Sequence, residues 1–365
     1  MSYITAIGTA NPKYKVEQSQ IANFMVKAMH PDYTQERRLR AIFRSSGIDF
    51  RYSILRDFQM NDNFEFFHNG NNLEPFPSTK KRSDKFRENA LALSLAAIDN
   101  ALRPTDLTGI SHIITVSCTG MYAPGLDIDI IKALDLSSKI NRVCVNFMGC
   151  YAALNALRTA DAFCKADPSA KVLIVCTEIC SLHFQREPTD DNILSNAIFG
   201  DGSAAILMEG ETNKSKTLIP QKFHMELMFE GEKDMAWNIG DHGFEMRLSS
   251  YVPDLVEKGI QKLMSSLRRD IGEDLLKIKY FAVHPGGKKI LKAVEQILHI
   301  SEDQNRPAHH VLRNYGNMSS PTVVFVLKEI FEKIAPADNG QQILSLAFGP
   351  GLTLGSVMFQ IQSEP

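Results

Sequence analysis

Cys150 stands in the run Val145-Asn-Phe-Met-Gly-Cys-Tyr-Ala-Ala-Leu-Asn-Ala-Leu-Arg158. A strand-like stretch ends there, Gly149 offers a tight turn, and helical periodicity begins at the cysteine. Backbone N–H groups and the positive end of a helix dipole favour a thiolate at such a position. A thiolate so placed is the nucleophile of acyl transfer. A free cysteine is also, in most proteins, a small buried hydrophobe, so this segment alone leaves both readings open.

His284 closes the strand-like Tyr280-Phe-Ala-Val and runs into Pro285-Gly286-Gly287. A histidine leaving a core strand into a glycine loop is placed to project into a cavity. There it could pair with the cysteine as imidazolium and thiolate, then donate to a carbonyl; a capped structural histidine is the bland alternative. Asn317, in Asn314-Tyr-Gly-Asn-Met-Ser-Ser-Pro321, directly precedes a helical pattern. It reads either as a helix cap or as an amide donor to a developing oxyanion. Ser319 and Ser320 can cap equally well, which would leave Asn317 free.

Two glycine-rich stretches, Phe199-Gly-Asp-Gly-Ser and Phe348-Gly-Pro-Gly-Leu-Thr, lack the Walker lysine and the dinucleotide spacing. Close backbone approach before a buried strand explains them better. The six cysteines (118, 144, 150, 164, 176 and 180) fall in apolar surroundings, as buried, reduced thiols do. No CxxC pair and no cysteine-rich loop with a nearby histidine supports a metal site.

These residues need a large framework to meet. The chain has 365 residues, 44% hydrophobic and 22% charged, with a net charge of −2. That is enough for two domains or one fused core, and it offers no field for nucleic acid or an anionic membrane. The N-terminus lacks the basic start and apolar run of a signal peptide, and no 18 apolar residues follow one another, so a cytoplasmic protein is expected. Strand patterns at Tyr3–Ile7, His112–Ser117, Arg142–Asn146, Lys171–Cys176, Ala204–Met208, Tyr280–His284, Ile343–Ala347 and Thr353–Ile361 alternate with helical ones. The helical ones are Phe86–Asn100, Tyr151–Cys164, Leu255–Arg268, Lys288–Leu298 and Thr322–Ile334. This predicts an α/β fold with a mostly parallel sheet. Asn61–Lys81 reads as a loop excursion.

A weak repeat runs through the chain. Cys118 and Cys150 are 32 residues apart, His284 and Asn317 are 33 apart, and each pair follows a strand and leads into a helix. Two duplicated halves, 1–215 with Cys150 and 216–365 with His284 and Asn317, would bring the four positions together about a pseudo-twofold axis.

The order GCYAALNALR, HPGG, YGNMSS and FGPGLT, from Ile7-Gly-Thr-Ala-Asn-Pro12 to the final strand, resembles the chalcone synthase-like, or type III, polyketide synthases of the thiolase superfamily. The resemblance implies a five-layered αβαβα thiolase fold and a catalytic Cys150, His284 and Asn317. It also implies a homodimer that uses coenzyme A esters without metal, cofactor or carrier protein. Decarboxylation of malonyl-CoA would feed repeated Claisen condensations onto a cysteine-bound starter, followed by cyclisation. Arg38, Arg44 and Lys289 would hold coenzyme A, although Ala41 and Ser45 stand where basic residues are expected.

Further pocket positions carried by the resemblance are Phe199, Met246, Trp237, Cys118, Cys180, His183 and Ser319. Met246 replaces the second gate phenylalanine of the plant enzymes, Trp237 a glycine, and Cys118, Cys180 and His183 threonines; Ala123 replaces the methionine that crosses the plant dimer. A filled floor with extra cysteines resembles the bacterial branch that makes 1,3,6,8-tetrahydroxynaphthalene from malonyl-CoA. Rival readings are a β-ketoacyl synthase III-like enzyme that condenses once, and a catalytically silent thiolase-fold binding protein.

Overall fold

The computed structural model describes residues 1–248, 252–271 and 278–363. The strands are β1 (Tyr3–Ala10), β2 (Tyr14–Glu17), β3 (Phe50–Ser53), β4 (His112–Ser117), β5 (Asn141–Asn146), β6 (Lys171–Ile179), β7 (Asp201–Glu209), β8 (Lys216–Leu227), β9 (Met235–Gly240), β10 (Gly243–Leu248), β11 (Ile278–Val283), β12 (Gln342–Gly349) and β13 (Thr353–Ser363). The helices are α1 (Gln18–Met29), α2 (Tyr33–Ser45), α3 (Thr79–Asp99), α4 (Leu126–Ala133), α5 (Ala152–Ala166), α6 (Asp190–Ile198), α7 (Val252–Ile271), α8 (Lys288–Leu298), α9 (Arg306–Tyr315) and α10 (Pro321–Lys333).

Nine strands follow one another in the order β11-β12-β13-β8-β1-β7-β6-β4-β5. The two ends of this row repeat one another. From β1 outward the neighbours are β7, β6 and β4; from β8 outward they are β13, β12 and β11. The directions match step for step: antiparallel, antiparallel, then parallel. Among the described residues one bridge, Ile4 to Leu218, joins the two sets. The sheet is therefore mixed rather than mostly parallel, with β4–β5, β4–β6 and β11–β12 as its parallel pairs. Strand β13 returns from β12 through the short Pro350–Leu352 turn, which reverses the chain instead of crossing over, whereas β7 returns antiparallel to β6 after residues 180–200, which carry α6.

Helix α5 packs on β6 and β4 of one set and on β13 of the other, while α10 touches β1, β7, β11 and β12. These two helices lie between the strand sets, with α3 on the outer face of one and α7 on the other. That is a five-layered α/β arrangement. Their sequences fit a doubly covered position: Ala152, Ala153, Leu154, Ala156, Leu157 and Ala160 on α5 are all buried, as is α10 from Pro321 to Leu327. Small residues on α5 let two sheets approach it closely. Asn61–Lys81 is irregular except for a short 3-10 turn, Asn71–Leu73, and the start of α3 at Thr79.

Candidate active site

Cys150 occupies a 3-10 turn, Gly149–Tyr151, that feeds directly into α5. Gly149 has φ +72°, and a Cβ there would sit 2.3 Å from Pro350 Cδ. A Cβ on Gly349 would in turn meet Tyr151 Cδ1 at 2.4 Å. The Phe348-Gly-Pro-Gly loop thus clamps the cysteine turn from the opposite half, and its glycines serve close backbone approach, as expected.

Asn317 arrives from that half too. Its backbone N–H donates to Ile198 O at 2.8 Å and its carbonyl accepts from Gly200 N at 2.9 Å, beside Phe199. Its side-chain Oδ1 accepts from the Ser319 backbone N–H at 2.8 Å, and its Nδ2 lies 3.9 Å from Cys150 Sγ. The expectation that serines would cap the helix is corrected here. Ser320 gives its hydroxyl to Glu178 instead, at 2.8 Å, and α10 has no side-chain cap. The turn bond fixes the amide orientation, so holding the turn and presenting N–H to the cysteine are two ends of one side chain, with Oδ1 also 3.8 Å from Sγ.

His284 follows β11, with its backbone N–H on Leu346 O at 2.7 Å. The ring is buried and neither nitrogen has a hydrogen-bond partner. Burial pushes the Cys150 thiol up to about 12, and burial pushes the imidazole down to about 3. Neighbouring Ser319 and Asn317 lower the thiol and Glu178 raises it, but desolvation dominates. Burial thus works against both charged members of the expected thiolate–imidazolium pair. The helix-start effect is worth about 1 kcal/mol, less than the cost of a charge in so dry a site.

Cys150, His284 and Asn317 line one cavity with Phe199, Met246, Trp237, Cys118, Cys180, His183 and Ser319. All the predicted pocket residues therefore meet. Trp237 Nε1 donates to Cys118 O at 2.7 Å. The His183 ring stacks on Phe244 at 4.2 Å, with Trp237 edge-on to both. His183 accepts from Phe244 N at Nδ1 and donates to Thr119 O from Nε2. The floor is filled and its rings are held in place.

Arg38, Arg44 and Lys289 stand outside this wall. Arg38 forks onto Asp190, with its two terminal nitrogens 2.5 and 2.7 Å from the carboxylate oxygens. The start of α8 reaches the end of α2 through Lys288, whose stem would lie 3.3 Å from a Cβ on Gly47.

Sequence reasoning missed Glu178. It is fully buried at the end of β6 and accepts from Thr119 Oγ1 (2.7 Å), Ser320 Oγ (2.8 Å) and Cys118 N (2.9 Å). Burial raises its carboxyl above the usual range. A lone acid ending an apolar strand was the available signal. Cys144 was expected to be buried and is exposed, because β5 is the last strand of the sheet. Among the described residues no group of His, Cys, Asp and Glu could hold a metal, and no helix is long and apolar enough to cross a membrane.

Residues 1–212 match the family of chalcone and stilbene synthases, N-terminal domain, and residues 221–362 match its C-terminal domain. The chain belongs to the chalcone and stilbene synthase family. It is a type III polyketide synthase, and so an acyltransferase that works on coenzyme A thioesters. It is 30% identical to the alpha-pyrone synthesis polyketide synthase-like Pks18 of Mycobacterium tuberculosis, over 99% of this chain and 91% of that protein. A putative chalcone synthase of Bacillus subtilis is 28% identical over 98% of each chain. The crystal structure of PKS-I from the brown alga Ectocarpus siliculosus superposes with a TM-score of 0.89, at 28% identity and 98% coverage of both chains. The thiolase fold expected from the motifs is the fold of this family, and the silent and single-condensation readings are not favoured.

Proposed function

We propose that Cys150, His284 and Asn317 carry out iterative decarboxylative condensation of malonyl-CoA. The observation that carries this reading is the meeting of all three on one buried cavity, with Asn317 Nδ2 3.9 Å from Cys150 Sγ and both His284 nitrogens unpartnered.

Neutral His284 takes the Cys150 proton as sulfur bonds the acyl carbon, and the coenzyme A thiolate leaves and is protonated. Malonyl-CoA then places its thioester oxygen against the His284 and Asn317 N–H groups. The C–C bond to the carboxylate breaks, CO2 departs, and the electron pair passes into the enolate that those donors stabilise. The enolate carbon attacks the Cys150 thioester and expels the thiolate, which takes up a proton. The lengthened β-ketoacyl-CoA returns its chain to the cysteine, and the final chain cyclises in the dry cavity. No metal or organic cofactor enters this scheme.

The test is mass spectrometry of the acyl-enzyme. The starter should sit on the peptide containing Cys150, and Cys150→Ala should abolish condensation. Starter on Cys118 or Cys180 would overturn the assignment.

The floor built by Trp237, His183 and Phe244 supports a small starter, so we assign malonyl-CoA as both starter and extender, giving a small polyhydroxylated aromatic. The name of the mycobacterial relative, together with flexible Met246 at the gate, supports a second reading, a longer acyl starter ending in a pyrone. Product analysis with malonyl-CoA alone and with long acyl-CoA esters separates them. Arg44 and Lys289, with Arg38 once freed from Asp190, are assigned to the coenzyme A phosphates. We further propose the division at 215/216, between β7 and β8, a cytoplasmic location, and a homodimer. The exposed end strand β5 supports the last, because an uncovered edge invites pairing with a second copy.

A further inference from the structure

The cavity that holds Cys150 is also lined by residues that the chemistry above does not use. Ile21 and Met25 of α1, Phe58, Phe184, Arg51 and Ser195 make up this part of its wall, here called the lobe. Two features set this lobe apart from ordinary core. The first is Arg51, 4% exposed on β3. Its Nε donates to Gln18 Oε1 at 2.9 Å and its Nη1 to Phe199 O at 2.5 Å, but its Nη2 has no partner. The second is Ser195 on α6, whose hydroxyl is buried and also unpartnered.

Among the described residues, ten buried side-chain nitrogen and oxygen atoms lack a hydrogen bond, and four of them belong to this one cavity. They are the two His284 nitrogens, Arg51 Nη2 and Ser195 Oγ. Native proteins rarely leave such atoms unpaired, so their clustering marks where a ligand completes the site. Arginine can only donate, and no carboxylate among the described residues lines the cavity, so the missing partner is an acceptor oxygen. The apolar remainder of the lobe suits a carbon chain. The lobe also lies next to the chemistry, since Arg51 holds Phe199 O and the same strand-like bridge joins Phe199 to Asn317.

We propose that this lobe receives the distal end of the cysteine-bound β-ketoacyl chain, with Arg51 and Ser195 donating to its keto oxygens. They are specificity-determining residues, favouring oxygenated chains over alkyl chains of equal length. The inference rests on Cys150 being the acylated residue. An alkyl chain in the lobe leaves both donors buried and unpaired, a penalty that corresponds to at least about tenfold in selectivity.

The experiment compares 3,5-dioxohexanoyl-CoA with hexanoyl-CoA, following transfer to Cys150 by intact-protein mass spectrometry and reading the ratio of the two kcat/KM values. The parent enzyme should prefer the dioxo chain by at least about tenfold. Ser195→Ala and Arg51→Lys should each bring the ratio towards one, and Ser195→Leu, which fills the lobe, should also shorten the products made from malonyl-CoA. The ratio is internal to each variant, so a general loss of activity does not imitate the effect. Equal transfer of the two chains by the parent, or an unchanged ratio in both Ser195→Ala and Arg51→Lys, would overturn the subsite while leaving Cys150 in place. Transfer of neither chain would overturn the Cys150 reading and this subsite with it.

Discussion

Glu178, at the end of β6, receives hydrogen bonds from Thr119, Ser320 and the Cys118 backbone. The ring of His284, just past β11, has none. Both are buried, both act on the same small space, and Glu178 perturbs the Cys150 thiol. Burial of a polar group is tolerated when it is paired, so Glu178 reads as a brace that fixes Cys118, Thr119 and the start of α10. An unpaired imidazole gains nothing for the fold. It has a reason to persist only if its partner arrives with the substrate. The same contrast separates the two ends of Asn317, one bound into a turn and the other offered to the cysteine.

The largest effect expected from this contrast is on catalysis. In a Cys150→Ala background, which cannot condense, His284→Ala should slow CO2 release from malonyl-CoA by about 10²–10³-fold. Its unfolding free energy in urea should move by no more than about 1 kcal/mol, because no hydrogen bond is lost. Asn317→Ala should slow release comparably but also cost the turn bond to Ser319, about 1 kcal/mol. Release at the parent rate in Asn317→Ala would reduce that residue to a cap.

Next in size is the brace. Glu178→Ala strands several buried donors at once and should cost about 3 kcal/mol in the same titration. Glu178→Gln keeps one acceptor and should cost less than half as much. If His284→Ala proved the more destabilising of the two alanine variants, the division of labour would be wrong.

How much of this was legible beforehand depended on range. Cys150 and His284 each sit where a strand-like run gives way to a turn and a helix, and Asn317 directly precedes a helix, local patterns that a chain displays openly. So do β4, which was bounded as observed, and α8, likewise. Strand β8 was invisible because it contains Pro220 and alternates poorly; what makes it a strand is an eleven-residue pairing with distant β13. The hairpin of β9 and β10 was missed although its pairing is local, because β9 does not alternate apolar and polar residues cleanly. Cys150 read as a thiolate because a helix start is visible in sequence, whereas the burial that opposes the charge is assembled from distant parts of the chain.

A smaller effect comes from acid. His183, like His284, is pushed down by burial to about 3 from 6.5. Above pH 6.5 neither state takes a proton. Below it the unfolded chain does and the folded ring does not, so stability falls as pH drops from 6.5 towards 3. Asp201, raised to about 6 by burial, works in the opposite direction. A comparison with His183→Gln cancels Asp201 and isolates the ring. Gln can accept from Phe244 N and donate to Thr119 O, so between pH 7 and pH 5 the parent should lose about 2 kcal/mol more than the variant. Parallel pH profiles would show that His183 is not held neutral.

The smallest change tests the floor against the reacting end. Trp237 lies opposite Met246 in the β9–β10 hairpin and closes the cavity with its indole, tied to Cys118 O. Its neighbours do not depend on it. His183 and Phe244 remain stacked through their own bonds to Thr119 O and to the Phe244 N–H. Trp237→Gly should therefore open a space of roughly the indole's own volume instead of collapsing the wall. The lost packing and hydrogen bond should cost about 3 kcal/mol of stability. Fitting a group into a hydrophobic pocket is worth about 1–3 kcal/mol in selectivity, so kcat/KM should shift by about tenfold from small towards aromatic or branched starters. CO2 release should follow the parent, because His284 and Asn317 touch no part of the indole's hydrogen bond. Trp237→Phe should fall between the two. A folded Trp237→Gly enzyme that ranks its starters as the parent does would show that the starter is selected elsewhere, with Met246 and the lobe lined by Arg51 and Ser195 as the remaining candidates.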